Sequence, residues 1–364
     1  MLSYSDIPSP QASRPRTRPL RIGVIGHIQF PIRQPFAGGL EAFTHDVVLG
    51  LRQRGHDVTL FARDASAEVL QAVPIIEHRC LPITSSEGYV AEHHAYLGLM
   101  QRMDSLGFDV VFNNALHYVP PTMAALIRTP MLTVLHTPPF FELINAYSHR
   151  EVAGRFCTVS EANALSWQHL IPNCAVIPNG IDLNQWAPGA EPPGDHAIWF
   201  GRLVPEKGPH LAIEAARRAG MEIYVAGTMA DDDYFRQSIE PLLGPRVHHL
   251  GHLNHDQLAK AVAGSKVALV TPCWDEPFGL VVAEALACGT PVAGFDRGAI
   301  PYLLTPETGV VVPANDVDAL AAGMLEAAGK SRQACRTLAE EHWGYDLMLS
   351  RYEALLHEVA AGHE

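Results

Sequence analysis

Short apolar runs alternate with longer amphipathic stretches along the chain, a pattern typical of parallel strands joined by helices. The first apolar run covers residues 21–26, and apolar positions at helical spacing follow over residues 40–54. A second apolar run covers residues 57–62. A strand, a helix and a strand at this spacing form a βαβ unit, whose crossover connection makes the two strands parallel. The beginning of the chain therefore predicts a parallel α/β sheet.

The alternation continues in two sets separated by residues 179–196, where Asn, Gly, Pro and Asp without periodicity indicate a linker. The further runs that we interpret as strands are residues 109–112, 131–135, 156–159, 175–177, 197–200, 222–226, 247–250, 267–270 and 290–293. The further stretches that we interpret as helices are residues 122–127, 209–219, 255–263 and 280–288. We expect two doubly wound α/β domains that face each other across a cleft at the carboxyl ends of their strands.

The domain boundaries follow from these breaks in the pattern. Residues 1–19 mix Ser, Pro and Arg and are expected to be a disordered tail. The first domain is expected to cover residues 20–178, the linker residues 179–196 and the second domain residues 197–342. Residues 343–364 contain apolar positions at helical spacing and predict a C-terminal helix.

The charge of the chain limits what it can bind. Its 364 residues carry 39 acidic and 26 basic side chains, a formal net charge of −13. Because there is no overall positive field for a nucleic acid or an anionic membrane, an anionic ligand must be held by local cations and backbone amides. We expect no integral membrane segment and no secretory signal, since no apolar run has the required character, and we infer a cytoplasmic protein.

Two clusters resemble metal sites, but we assign a metal to neither. Asp231, Asp232 and Asp233 follow a strand and a turn, where acidic residues commonly start a helix. Four histidines span a strand, a turn and a helix start without cysteine or acidic partners at a clear metal spacing: His248, His249, His252 and His255. The six cysteines contain no CxxC pair and are expected to be reduced thiols.

The strongest functional signal lies in residues 274–292, between two predicted strands. Residues 275–279 form the loop that enters the helix, and the free N–H groups that begin at Gly279 could bind a phosphate. Glu276 and Glu284 could accept hydrogen bonds from hydroxyl groups. A ligand with hydroxyls on both sides of a diphosphate, such as a nucleotide sugar, suits this pattern. Alternatively, the two glutamates merely favour a helix N-terminus, and spacing alone leaves both interpretations open.

The same segment strongly resembles the E-x7-E signature of retaining nucleotide-sugar glycosyltransferases with the GT-B fold, glycosyltransferase family 4. Further matches to this family follow in the same order along the chain: Gly38-Gly39, Leu135-His136-Thr-Pro, Val159-Ser160, Ile177-Pro-Asn-Gly-Ile-Asp182, Phe200-Gly-Arg-Leu-Val-Pro-Glu-Lys-Gly208 and Thr308-Gly-Val-Val-Val-Pro313. The resemblance covers residues 20–360. It implies two facing Rossmann-like domains, the first on the acceptor side and the second for the nucleotide sugar, with the C-terminal helix crossing back to the first domain.

The resemblance also implies a role for each matching residue. Arg202 and Lys207 would neutralise the donor diphosphate, Glu284 would hold the ribose hydroxyls, and Glu276 the hexose hydroxyls. His136 would face the donor sugar near the reacting carbon. The implied donor-binding set is Gly38, Gly39, Arg202, Lys207, Leu253, Glu276, Phe278, Gly279, Leu280, Val281 and Glu284, and the implied catalytic set is His136, Glu276, Arg202 and Lys207.

We therefore expect a retaining transferase that moves a hexose from a nucleoside diphosphate sugar, with UDP-glucose or a similar UDP-hexose first, to a small-molecule or glycan hydroxyl. The resemblance implies attack on the face that the phosphate leaves, with no metal or cofactor. A GDP-mannose-dependent mannosyltransferase and a catalytically weak nucleotide-sugar-binding protein are alternatives. A glycoside hydrolase would need facing carboxylates. A nicotinamide-dependent oxidoreductase is disfavoured, because GxGxxG is absent after the first strand.

The acceptor is expected to bind the loops of the first domain. Candidate acceptor-side residues there are His117, Tyr118 and Phe140, and the loops that we assign to this side are residues 31–36, 85–96, 113–118 and 140–147. Their mixed polar and aromatic side chains would suit a sugar, an aromatic alcohol or a pterin-like ring. A membrane lipid is less favoured, because the loops contain no strong basic amphipathic helix. Tyr302 departs from the family pattern, which often has an acidic residue at this position.

Overall fold

The structure is a computed structural model that describes residues 18–34, 36–77, 85–148 and 152–362. Most of the predicted N-terminal tail, residues 1–17, lies outside the described residues, as does Cys80. Within the described ranges, no helix is both long enough and apolar enough to cross a membrane.

The first part of the chain forms a parallel sheet of seven strands among the described residues. These strands are β1 (Arg21–Ile25), β2 (Asp57–Arg63), β3 (Val73–Ile76), β4 (Val110–Asn113), β5 (Met131–Leu135), β6 (Arg155–Thr158) and β7 (Ala175–Val176). The accompanying helices are α1 (Gly39–Gln53), α2 (Ser86–Arg102), α3 (Val119–Met123), α4 (Phe141–Ser148) and α5 (Glu161–Trp167). The spatial order is β3-β2-β1-β4-β5-β6-β7, so the strand order reverses between β1 and β4, where such sheets bind ligands.

The second part forms a parallel sheet of six strands, again counted over the described ranges. These strands are β8 (His196–Phe200), β9 (Glu222–Ala226), β10 (Val247–Gly251), β11 (Val267–Val270), β12 (Val292–Phe295) and β13 (Gly309–Val312). The helices are α6 (Pro209–Ala219), α7 (Asp232–Tyr234), α8 (His255–Ala263), α9 (Leu280–Ala287), α10 (Ile300–Leu303), α11 (Val317–Ala327), α12 (Arg332–His342) and α13 (Tyr345–Ala361). The spatial order is β10-β9-β8-β11-β12-β13. The two sheets with their helices confirm the predicted α/β class.

The last helix, α13, packs against α1 and β4 of the first part of the chain. Tyr352 of α13 is fully buried, and its ring centroid lies 5.5 Å from that of Phe43 and 5.4 Å from that of Phe112. On the polar side of the same helix, the Arg54 guanidinium donates to a Glu353 carboxylate oxygen at 2.7 Å. These contacts join the end of the chain to its first sheet.

Some helices and strands have the bounds that the sequence predicts, and others begin or end elsewhere for local reasons. The helices over residues 209–219 and 255–263 are confirmed. Residues 85–96, expected as a loop, instead begin helix α2, which Ser85 caps by accepting a hydrogen bond from the Gly88 N–H. Strand β12 begins after Pro291 rather than at residue 290, because proline has no N–H to donate to the sheet. The domain boundaries themselves stay a prediction.

Candidate functional site

The predicted site residues gather where strands of both sheets end. In the first sheet, β5 leads to the predicted His136, and β1 leads to His27, which was not selected from the sequence. In the second sheet, β8 leads to Arg202 and β11 leads to the loop of residues 271–279. The Ser160 hydroxyl donates a hydrogen bond to the Pro277 carbonyl at 2.5 Å, which joins the two parts of the chain beside this loop.

The N-termini of helices α1 and α9 approach each other across the cleft. Gly279 precedes α9 with φ +91°, a left-handed conformation that favours glycine. Gly39 begins α1, and a Cβ placed there would lie 3.2 Å from Leu280 Cδ1. Because the first N–H groups of a helix have no partner within it, two sets of anion-binding donors lie close together here.

The residues that match the family's donor-binding motifs differ in which of their groups a ligand can reach. Phe278 is buried, so it can offer a ligand only backbone groups, whereas Leu280 and Val281 are partly exposed on the first turn of α9. Leu253 is also partly exposed and packs against the hydrophobic core after β10. Asp231 caps α7 by accepting a hydrogen bond from the Tyr234 N–H, as expected for a helix start.

Glu276 and Lys207, expected to contact different parts of the donor, pair directly with each other. Lys207 Nζ lies 2.6 Å from Glu276 Oε2, and the Trp274 indole Nε1–H donates to the same oxygen at 3.0 Å. Lys207 Nζ is also 5.1 Å from the centroid of the Trp274 ring, within cation–π distance. Because both groups donate to Oε2, the other carboxylate oxygen of Glu276 remains available to a ligand hydroxyl. Trp274 was not among the candidate site residues selected from the sequence.

Arg202 is half-exposed and approaches carboxylates of both parts of the chain. Its guanidinium lies 3.9 Å from a carboxylate oxygen of Glu206. Burial raises the pKa of Glu41, in the first turn of α1, above its usual value, and the charge of Arg202 offsets part of this increase. Glu41 was not selected from the sequence, where a first-turn acid is an ordinary helix feature.

Glu284 lies one turn inside α9 and is only partly exposed. Burial raises the pKa of its carboxyl from 4.5 to about 8. No opposing cation contributes to this shift, so the carboxyl is poorly solvated and carries a proton at neutral pH. A buried acid of this kind is suited to exchange hydrogen bonds with ligand hydroxyls.

His136 directly follows β5 and is held in a fixed orientation. Its Nε2 lies 2.9 Å from Asn114 Oδ1, and its ring centroid lies 4.8 Å from that of Phe43 in α1. Burial, with a smaller effect of His27, lowers the pKa of His136 to about 3. The imidazole is therefore neutral at physiological pH, and with Nε2 donating to Asn114, Nδ1 is left as an acceptor.

The predicted acceptor-side residues are only partly brought together. Phe140 lines a cavity next to Trp274, and the Tyr118 hydroxyl lies 2.6 Å from His93 Nδ1. His117 is instead buried, with its Nδ1 accepting the Val119 N–H at 3.1 Å. Burial, assisted by neighbouring histidines, lowers the pKa of His117 to about 4.

Tyr302, which departs from the family pattern, lies at a smaller cavity of about 210 Å³. Asn163, Asp275 and Glu276 also line this cavity. Tyr302 is 47% exposed and thus lies beside the Glu276 loop at the protein surface.

One group of possible metal ligands occurs among the described residues, and it lies away from the cleft. It consists of His56, Glu353 and His357. The Leu20 N–H donates to His56 Nδ1 at 3.1 Å, so the neutral ring carries its proton on Nε2, 3.2 Å from Glu353 Oε1. Because that nitrogen donates a hydrogen bond, the arrangement joins α13 to the first sheet and does not suit a cation.

Two family models match consecutive parts of the chain. The model for glycosyltransferase family 4 matches residues 37–185, and the model for glycosyl transferases group 1 matches residues 184–341. Together they span residues 37–341, which include every strand of the two sheets except β1.

Curated relatives match most of the chain. A D-inositol 3-phosphate glycosyltransferase of Mycolicibacterium smegmatis is 24% identical, over 95% of this chain and 93% of its own. A phosphatidyl-myo-inositol mannosyltransferase of the same species is 25% identical, over 84% of each chain.

Solved structures share the fold. Sucrose-phosphate synthase from Thermosynechococcus elongatus superimposes with a TM-score of 0.77 at 20% identity, over 94% of this chain and 99% of its own. HepE from Anabaena, solved with UDP and glucose, has a TM-score of 0.74 at 19% identity, over 93% and 99% of the two chains. With both family models matched in order on a GT-B fold, the chain belongs to glycosyltransferase family 4 and is a group 1 glycosyltransferase.

Proposed function

We propose that the protein is a retaining hexosyltransferase that uses a UDP-hexose, with UDP-glucose as the first donor to test. The observation that carries the proposal is the approach of Gly39 to Leu280, which places two helix N-termini beside the Lys207–Glu276 pair. HepE from Anabaena, which has the same fold, has been solved with UDP-glucose. That support concerns the donor class and leaves the acceptor to be identified.

The donor would lie between the two helix N-termini with its diphosphate on the free N–H groups. Arg202 is half-exposed and can turn toward the phosphates, adding a charge-assisted contact. Lys207 can reach the phosphates once the donor hydroxyls compete for Glu276. Glu284, one turn further along α9, would then contact the ribose. The acidic chain thus binds an anion with local donors.

In the transfer step, the acceptor oxygen forms a bond to the anomeric carbon while the bond from that carbon to the diphosphate oxygen breaks. The acceptor proton passes to the departing diphosphate, and the products are the glycoside and UDP. Lys207, Arg202 and the helix N–H groups stabilise the charge that develops on the leaving group. His136, neutral and oriented by Asn114, accepts a hydrogen bond from a hydroxyl of the donor sugar at Nδ1.

The proposal is tested first by calorimetric titration of UDP, UDP-glucose, GDP-mannose and ADP-glucose into the folded protein. We expect UDP and UDP-glucose to bind. Preferential binding of GDP-mannose would replace the donor assignment with a mannosyltransferase. Failure of every nucleotide sugar to bind a protein with intact circular dichroism would overturn the proposal.

Two variants then separate the roles of the paired residues. K207A should weaken UDP binding by about tenfold or more, because a charge-assisted contact is worth roughly 1.5–3 kcal/mol. E276Q should retain UDP affinity and lose transfer, because it frees Lys207 but alters the contact with the hexose. K330A, which removes a lysine paired with Glu326 at the surface, is the matched control. Equal loss of UDP affinity in K207A and E276Q would contradict these roles.

A further inference from the structure

A cavity of about 460 Å³ lies between the two parts of the chain, next to the Glu276 loop. Its walls come from the ends of β1 and β5 in the first sheet and from the loop after β11 in the second. The lining residues are His27, Gln29, Leu116, Thr137, Pro138, Pro139, Phe140 and Trp274. Its volume is within the range of small-molecule sites and large enough for one or two sugar rings.

Two walls of this cavity are apolar and suit a flat ring face. Phe140, Pro138 and Pro139 come from the segment that follows His136. Trp274 comes from the second part of the chain, so the cavity is complete only when the two parts face each other. Aromatic faces of this kind pack against the C–H face of a pyranose or a cyclitol.

The polar groups of the cavity are uncharged. His27 is 6% exposed, and its Nδ1 has no hydrogen-bond partner among the described residues. Burial lowers the pKa of His27 to about 4, so the ring is neutral at physiological pH. Gln29 and Thr137 add an amide and a hydroxyl. No Lys, Arg, Asp or Glu occurs among the lining residues in the part of the chain that the structure describes.

His27 lines this cavity with Gln29 and Thr137, so the polar part of the lining consists of a neutral imidazole, an amide and a hydroxyl. Each of these groups can exchange hydrogen bonds with a ligand hydroxyl, because a hydroxyl both donates and accepts. A phosphate or carboxylate would instead be buried without a lining cation, which is unfavourable. The chemistry of the lining therefore selects hydroxyl groups over charged groups.

We propose that this cavity binds the acceptor, and that the acceptor is an uncharged polyhydroxylated ring stacked between Phe140 and Trp274. The inference rests on the proposed function for the donor and adds the class of the second substrate. It differs from what the names of the curated relatives describe, since those names include a phosphorylated inositol and a phosphatidyl-inositol.

Trp274 has a second role in this proposal. Its side chain lines the cavity, while its Nε1–H donates a hydrogen bond to Glu276 Oε2 at 3.0 Å. An acceptor stacked on the ring therefore contacts the same side chain that orients the donor-sugar carboxylate. Trp274 is a positioning residue for Glu276 and a binding residue for the acceptor.

The substrate class is tested with matched neutral and phosphorylated acceptors. Transfer from UDP-glucose, or from whichever nucleotide sugar binds, is measured by mass spectrometry with glucose, glucose 6-phosphate, myo-inositol and inositol 3-phosphate. We expect product with at least one neutral ring and at least tenfold lower kcat/KM with its phosphorylated partner. Preference for a phosphorylated ring, or no product with either neutral ring, would overturn the proposal.

Variants test the site itself and use an exposed apolar residue outside the assigned acceptor loops as the control. F140L should raise the acceptor KM about tenfold, the scale of one lost stacking contact, and leave UDP affinity unchanged. L126A changes a leucine that is 76% exposed and lines neither cavity, and it should leave both unchanged. Equal acceptor KM values for F140L and L126A would contradict the assignment of the cavity.

The two roles of Trp274 are separated by a pair of substitutions. W274F keeps an aromatic face but removes the Nε1–H, so it should lower kcat with little change in the acceptor KM. W274L removes both and should change both parameters. Loss of UDP binding in all variants and in the unmodified protein would mark failure of the donor assignment instead. Normal UDP binding with the wrong acceptor pattern would mark failure of this inference alone.

Discussion

Glu284 provides a test in which stability and pH are linked. Burial raises the pKa of its carboxyl from 4.5 to about 8, so the folded protein keeps a proton that the unfolded chain releases above pH 4.5. Folding stability contributed by this group is fully present below pH 4.5, falls as pH rises, and is lost above pH 8. Each unit of the shift corresponds to about 1.4 kcal/mol, so the full effect is on the order of 5 kcal/mol at most.

The substitution E284Q removes this titration while keeping the shape of the side chain. Because Glu284 is partly exposed and can relax, we expect a reduced effect. E284Q should become more stable than the unmodified protein by about 2–4 kcal/mol at pH 8.5, relative to their difference at pH 4.5. The variant should nevertheless bind UDP more weakly, because the ribose loses a carboxyl partner.

Both proteins are unfolded with urea, without ligand, at pH 4.5, 6, 7 and 8.5, and unfolding is monitored by tryptophan fluorescence. The difference in free energy of unfolding between the two proteins should increase steadily over this range. A difference that is independent of pH would refute the argument that Glu284 is protonated in the folded protein. Repeating the measurement with saturating UDP should stabilise the unmodified protein more than E284Q, since ligand stabilisation follows affinity.

Three further outcomes follow from the structure. The pH–rate profile should show no inflection near pH 6.5 from His136, because its pKa is about 3; loss of such an inflection in H136A would contradict its neutral state. G39V should lower UDP affinity at least tenfold with unchanged circular dichroism, because even a Cβ at Gly39 would lie 3.2 Å from Leu280 Cδ1. Unchanged affinity would argue against close approach of the two helices. R54A should lower the free energy of unfolding by about 1–3 kcal/mol, because it removes the contact with Glu353. A change below about 0.5 kcal/mol in urea unfolding would show that this contact does not stabilise the packing of α13.

Local patterning accounts for most of the elements that line the cleft. The helix over residues 209–219 was predictable because its apolar side chains recur at helical spacing between a proline start and a glycine end. Helix α2 was not, because its buried face contains Glu92 among apolar residues and the pattern is correspondingly weak. Strand β3 was also missed, since its four residues lie at the edge of the sheet and are not fully buried.

The sequence by itself determined the α/β class, the two sheets and the motifs that identify glycosyltransferase family 4, because these depend on local periodicity and on residues close together in the chain. Only the tertiary structure decided which groups meet. Lys207 and Glu276 pair at 2.6 Å although 69 positions separate them, and Trp274 joins their contact to a cavity built on the opposite sheet. Spacing along a chain cannot supply such contacts, since they arise from how two sheets are placed against each other. The protonated Glu284 and the neutral His136 have the same origin, because a pKa depends on burial that is complete only after folding.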